Sequence, residues 1–151
     1  MKKLKAVLMS ICALALSVCA LAAMACGEPT GVKVTLVEAK EKLIVIRADS
    51  SYGALDDALK ALKADGKISY EEQTGDYGSY ITAIGGYTAD ATKNEFVAIY
   101  STLKEMDGVV YSTTEYGSYE YDGKTLGSAS FGASGMPLIE SELYILAIAT
   151  Y

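Results

Sequence analysis

From Ala6 to Ala25 the chain is almost unbroken in apolar residues. The run follows Met1-Lys2-Lys3-Leu4-Lys5 and closes on Ala23-Met24-Ala25-Cys26. After Gly31 the pattern shortens and begins to alternate. Residues 32–36 alternate apolar and polar with period 2, which predicts a half-buried strand, and residues 42–47 predict a second after a charged turn. Asp49, Ser50 and Ser51 offer capping side chains for a helix from about Ser51 to Ala64. In it Leu55, Ala58, Leu59 and Leu62 share one face, and Asp56, Asp57, Lys60 and Lys63 take the other. Asp56 and Lys60 are spaced for an i,i+4 ion pair, and Gly66 is the stop signal.

Downstream of the helix the pattern predicts strands only. Residues 68–72 form a short one, and residues 79–84 alternate into the turn signal Gly85-Gly86. Residues 95–101 predict a central strand. Asp107-Gly108 marks a turn, and Asp122-Gly123 closes a hairpin between 119–121 and 124–126. Pro137 interrupts the next stretch, and residues 143–151 are apolar enough for a buried final strand. The order is β-β-α followed by four to six strands, an α+β class in which the helix should pack on a sheet containing 95–101 and 143–151.

The N-terminal run has the charged start, apolar centre and small residues of an export signal, predicted as a helix over 1–25. A small residue before Cys26 resembles the lipobox of bacterial lipoproteins, in which that cysteine is lipidated and becomes the new N-terminus. Two other readings stand beside it. Ala23-Met24-Ala25 is also an A-x-A site that would release a secreted protein, and about 20 apolar residues can span a bilayer. Cys12 lies too early in the run and Cys19 follows the bulky Val18. The expected organisation is a signal peptide over 1–25, a linker over 26–31 and one domain over 32–151. The expected location is extracytoplasmic, at the cell membrane, lipid-anchored through Cys26.

Composition narrows the function classes. Cleavage before Cys26 removes Lys2, Lys3 and Lys5, so the 13 basic residues less these three face 19 acidic ones, a net charge of −9. A nucleic-acid binder needs a basic stripe, so that class is excluded. After Cys26 there is no cysteine, so no disulfide staples the domain. The chain has no His and no Trp, and Arg47 is its one arginine. Without His the usual general base and the commonest metal ligand are missing.

Searches for catalytic patterns end the same way. Gly132-Ala133-Ser134-Gly135-Met136 approaches the G-x-S-x-G elbow but carries Met in place of the last Gly, and no His exists to complete a triad. The carboxylate pairs Asp56-Asp57 and Glu71-Glu72 are adjacent, which on a helix or a strand turns them apart. Asn94 is the one Asn, so no calcium-loop pattern is present. No enzyme, metal or cofactor is expected.

What remains is tyrosine beside glycine. Tyr77-Gly78-Ser79-Tyr80 and Tyr116-Gly117-Ser118-Tyr119 repeat one another, and Tyr121 follows. We read the repeat as the start of a strand used twice. Glycine admits close approach of a ligand, and aromatic rings beside it can stack on one. Tyr77, Tyr80, Tyr116, Tyr119 and Tyr121 are therefore the candidate ligand-binding residues, against the alternative that they are cross-strand pairs of a sheet. The loop 127–137, rich in Gly, Ser and Ala, is the next candidate, because it can expose backbone N–H groups.

Several segments also resemble the transcobalamin-like C-terminal domain family. Residues 52–60, YGALDDALK, are similar to its T-L-x-D-A-L helix opening, and residues 78–86, GSYITAIGG, to its G-Y-x-I-T-S-I-N-G. Residues 95–100, EFVAIY, stand where the family has W-x-x-Y, with Phe96 for Trp, and residues 139–144, IESELY, resemble its V-x-D-G-D turn without the Gly. The resemblance covers about 32–151. It implies a β-grasp-like mixed sheet wrapped around one helix, and a corrinoid such as cobalamin as ligand. The resulting expectation is a non-enzymatic, membrane-anchored protein that binds a small soluble ligand, with a protein–protein or cell-wall glycan contact module as the alternative.

Overall fold

The computed structural model describes residues 31–76 and 78–151; the signal segment, Cys26 and Tyr77 lie outside the described residues. The first two strands, β1 (Val34–Lys40) and β2 (Leu43–Ala48), pair as a hairpin. Period 2 divides β2 between two cores. Ile44, Ile46 and Ala48 face the helix, and Val45 faces the opposite side.

Helix α1 (Leu55–Ala64) begins at Leu55, later than Ser51. Two of the three residues expected to cap it are used elsewhere, and Ser50 Oγ is buried without a partner. Asp49 accepts a hydrogen bond from the Thr35 hydroxyl at 2.7 Å, and Ser51 Oγ accepts one from the Glu140 N–H at 3.0 Å. The cap is instead Ala54, with extended backbone, whose N–H donates to the Asp57 carboxylate at 2.9 Å. The far end is as read. Gly66 has φ +70°, and the Lys67 N–H folds back onto Leu62 O at 2.9 Å. The Asp56–Lys60 ion pair is present at 2.6 Å.

The remaining strands are β3 (Tyr70–Gly75), β4 (Gly78–Ile84), β5 (Tyr87–Thr88), β6 (Glu95–Ser101), β7 (Glu105–Met106), β8 (Val109–Val110), β9 (Ser112–Tyr121), β10 (Lys124–Ala129) and β11 (Leu143–Thr150). They form a six-stranded sheet in the order β1-β2-β11-β6-β10-β9, a three-stranded sheet β3-β4-β5 and the small hairpin β7-β8. The class is α+β, dominated by sheet, with one α-helix among the described residues. Every pairing is antiparallel, whereas a mixed sheet was expected. A parallel pair needs a crossover that returns beside its starting strand. Here the chain leaves α1 into a separate sheet, and the place beside β2 goes to β11.

The apolar face of α1 packs on Ile44, Ile46, Tyr144 and Leu146 of the large sheet and on Tyr70 and Ile84 of the small one. Val45, Ala98, Tyr100, Leu126, Leu143, Ile145 and Ala147 form a second core on the far side of the large sheet. β11 therefore buries both faces, which is why it reads as an unbroken apolar run.

The far core is covered by the β9–β10 hairpin. β10 pairs with β6 only at Gly127–Ser101 and Ser128–Tyr100. Residues 124–126 run on beyond β6 with β9 alone, and Leu126 is fully buried in the far core. Between the pairs Gly127–Ser118 and Ser128–Thr113, residues 114–117 of β9 have no partner across the ladder. This four-residue bulge lets the hairpin bend. At its tip the Tyr121 hydroxyl donates to Glu38 Oε2 at 2.9 Å, although β9 and β1 are opposite edges of the sheet. Six flat strands would hold those edges about 24 Å apart, beyond the reach of two side chains. The sheet is therefore curled, edge toward edge, over the far core.

Candidate functional site

The candidate tyrosines do not converge. Tyr119 and Tyr121 belong to the far side of the large sheet. The Tyr119 ring lies 5.4 Å from that of Tyr100 at 42°, and Tyr121 is spent on Glu38. The Lys40 ammonium, and after it the Tyr121 hydroxyl, holds the Glu38 carboxyl below its usual range; the same carboxylate pushes the Tyr121 phenol up. Tyr121 thus ties one edge of the sheet to the other, and Tyr119 packs over an interior strand. Tyr116 stands on the bulge, 83% exposed. The second Tyr-Gly-Ser-Tyr thus lies inside β9, where a strand bends, and not at a strand start as expected. Tyr80 sits apart from all of these on β4, and Tyr77 lies outside the described residues.

Tyr80 instead shares a cleft of about 220 Å³ with residues of the loop that was the second candidate. One wall is β4 at Ser79, Tyr80 and Ile81. The other is β6 from Phe96 to Ile99, and Ser128, Ala129 and residues 131–133 close one end. Phe96 shares the parity of Ala98 and Tyr100, so its ring turns to the far face of the sheet, and two aromatic side chains stand exposed among the lining residues: Tyr80 at 54% and Phe131 at 43%. Each is held from behind. Tyr80 donates its hydroxyl to Gln73 Oε1 at 3.0 Å, and Phe131 packs on Tyr111 at 5.6 Å.

The β6 wall is an open sheet edge. Asn94 O accepts from the Tyr151 N–H, and the Thr102 N–H donates to Leu143 O, so even-numbered residues of this strand turn their backbone groups toward β11. The Glu95 N–H donates to Asp90 O, and Ser101 O accepts from Ser112 Oγ, so odd-numbered residues turn away from it. Val97 therefore directs both its N–H and its C=O into the cleft, while its side chain packs on the helix-side core. Among the described residues no strand pairs with 95–98 on this side.

The opening is short because both ends are stopped. At one end is the β10 pairing. At the other is the turn Ala91–Lys93, held by Asp90, whose carboxylate accepts from the Thr92 hydroxyl and N–H. Those bonds, with the Lys93 ammonium at 3.0 Å, bring the Asp90 carboxyl down to about 2. Glu95 accepts from the Asp90 N–H and the Tyr87 hydroxyl, which lowers its pKa and locks the turn to β6.

Among the described residues no group of three or more Cys, Asp or Glu side chains converges to hold a metal ion. No helix among them is long and apolar enough to cross a membrane. Comparison with known protein families, characterised proteins and solved structures returned no match to this chain.

Sequence reasoning found Tyr80 and the loop but missed that they meet, and it missed Phe96, Val97 and Phe131. Phe131 carried a usable signal, as the one aromatic in a stretch of small residues. Val97 carried none. Its place in the cleft comes from a backbone direction that depends on β10 stopping short.

Proposed function

We propose that this chain is a non-enzymatic, lipid-anchored extracytoplasmic binding module that holds a small soluble ligand in the cleft between β4 and β6. The observation that carries the reading is the pair of braced, exposed aromatic residues Tyr80 and Phe131 beside an unpaired stretch of strand. Small-ligand sites are concave and apolar, with a few placed polar groups, and aromatic rings supply contact area at little cost in flexibility. The lack of His and of a thiol after Cys26 supports binding over catalysis.

The kinship with the transcobalamin-like C-terminal domain, and a β-grasp-like wrapping of strands about one helix, belong to the same reading. The β-β-α order supports them and the antiparallel sheet counts against them. A corrinoid is too broad to be enclosed in about 220 Å³ and would lie across the mouth of the cleft.

Two measurements test the proposal. Intact mass of the membrane-extracted protein should show a chain beginning at Cys26 with a diacylglyceryl adduct; an unmodified chain in the medium would remove the anchor. A screen of the full-length protein in detergent against corrinoids and cell-wall glycan fragments should give a binder whose amide shifts map to 79–81, 96–99 and 128–133. Shifts confined to β9 would move the site to the far side of the sheet.

A further inference from the structure

We infer that the cleft receives a short extended peptide, one residue of which pairs with Val97 through its own N–H and C=O. This rests on the cleft being the binding site. Val97 presents one donor and one acceptor on the same side of β6. In an antiparallel ladder such a residue bonds to the two amides that flank a single Cα of its partner. Register shows which residue would stand opposite. Counting on from the Ser128–Tyr100 pair, a continued β10 would set residue 131 against Val97. The chain turns away first. The Ser130 N–H donates to Tyr111 O at 2.9 Å, and the Phe131 ring packs on that of Tyr111. A peptide antiparallel to β6 takes up the ladder where β10 leaves it.

The two stops set the length of that peptide. The open stretch between the Asp90 turn and β10 is about three residues, or about 10 Å. It takes one residue opposite Val97 and one on either side, facing Ala98 and Phe96. A longer chain would have to leave the cleft at both ends, so the geometry favours a free oligopeptide over an added strand of another protein. Residues paired across a ladder point to the same face. The central side chain therefore joins Val97 on the helix side, where Ile81 and Ala129 also pack. A volume of about 220 Å³ holds that side chain together with peptide backbone, so it is small and apolar. The two outer side chains turn to the far face with Ala98 and Phe96. Phe96 is 40% exposed there, which gives a β-branched side chain opposite it an apolar surface to cover.

The test is titration of the full-length protein in detergent with blocked peptides. The reference is acetyl-Thr-Ala-Val amide, with its Ala opposite Val97 and its Val opposite Phe96. Its binding should move the Val97 amide resonance among the most and slow the exchange of that proton with solvent. N-methylation of the peptide's Ala, whose N–H faces β6, should weaken binding at least about tenfold; N-methylation of its Val, whose N–H turns away from β6, should cost less than about threefold. Phe in place of the central Ala should weaken it about tenfold, and a nine-residue peptide with the same three at its centre should bind no more tightly than the reference. Gly132→Val, which sets a branched side chain beside Ser79 at a backbone φ of −66°, should narrow the cleft and weaken the reference peptide about three- to tenfold without lowering Tm. The methylated peptides leave the protein unchanged, so they decide the pairing whatever that variant does to the fold. Equal losses from the two methylations would overturn the pairing with Val97. Tenfold tighter binding of the long peptide would overturn the free oligopeptide and make the cleft a docking site for a protein segment. If no peptide binds while a corrinoid or a glycan fragment shifts the cleft residues, this inference fails and the cleft stands. If the reference peptide binds and shifts only residues outside the cleft, both fail.

Discussion

Tyr144 is the largest side chain without solvent contact, and its hydroxyl does two jobs. It donates to Pro137 O at 2.7 Å and accepts from the Ile139 N–H at 2.9 Å, which ties the loop before β11 to the core. Tyr144→Phe keeps the ring and leaves both backbone groups unpaired, so we expect a loss of about 1–3 kcal/mol in denaturant melts. Burial pushes the phenol up to about 12. The unfolded chain then releases this proton first, near the ordinary value of 10. The contribution of Tyr144 is thus complete below pH 10 and declines as pH rises toward 12. Wild type should lose more stability than Tyr144→Phe over that window, and parallel pH profiles would contradict the assignment. Gly85 is a second decisive residue. It has φ +58°, and an added Cβ would stand 2.3 Å from Lys40 O in the β1–β2 turn. Gly86 has φ +82° with open space. Gly85→Ala should therefore cost more than about 1 kcal/mol, whereas Gly86→Asn should be mild, because Asn tolerates the left-handed region. Equal melting points for the two variants would sink this reading.

Among the elements, α1 was the most legible because Leu55, Ala58, Leu59 and Leu62 recur at helical spacing and all four are buried. Leu59→Ala should cost about 2–5 kcal/mol, and a loss below about 0.5 would contradict its place between the two sheets. The start of α1 was misread because Asp49 and Ser51 have capping chemistry wherever they stand, and only tertiary partners decide how it is used. β11 and the Asp122-Gly123 hairpin were legible from composition alone: an unbroken apolar run, and two residues that adopt positive φ at 47° and 71°. The candidate site was legible only in part. An aromatic beside glycine looks the same on either face of a sheet. Tyr80 and Tyr119 share the same local motif and part company only because the strands that carry them belong to different layers.

The curled sheet and the cleft have one cause at the level of the molecule. β10 leaves β6 after two pairs, and its far half is free to cover the second core while β6 keeps an open edge beside β4. Closing the sheet and opening the cleft are two results of one short pairing. The placement of β11 has a consequence of a different kind, in time. It lies between β2 and β6, so the β1–β2 hairpin and the β6-β10-β9 strands stay unjoined until Leu143–Thr150 has arrived. Removal of 143–151 should abolish the cooperative unfolding transition; a sharp melt in the shortened chain would contradict this. Most of the pairings that make the core join residues far apart along the chain, which is slow to achieve. A ribosome that has delivered everything up to Pro137 has therefore delivered five strands of this sheet without the one that joins them. Under the proposed export, such a chain would still be threadable through a translocation pore that passes only unfolded polypeptide.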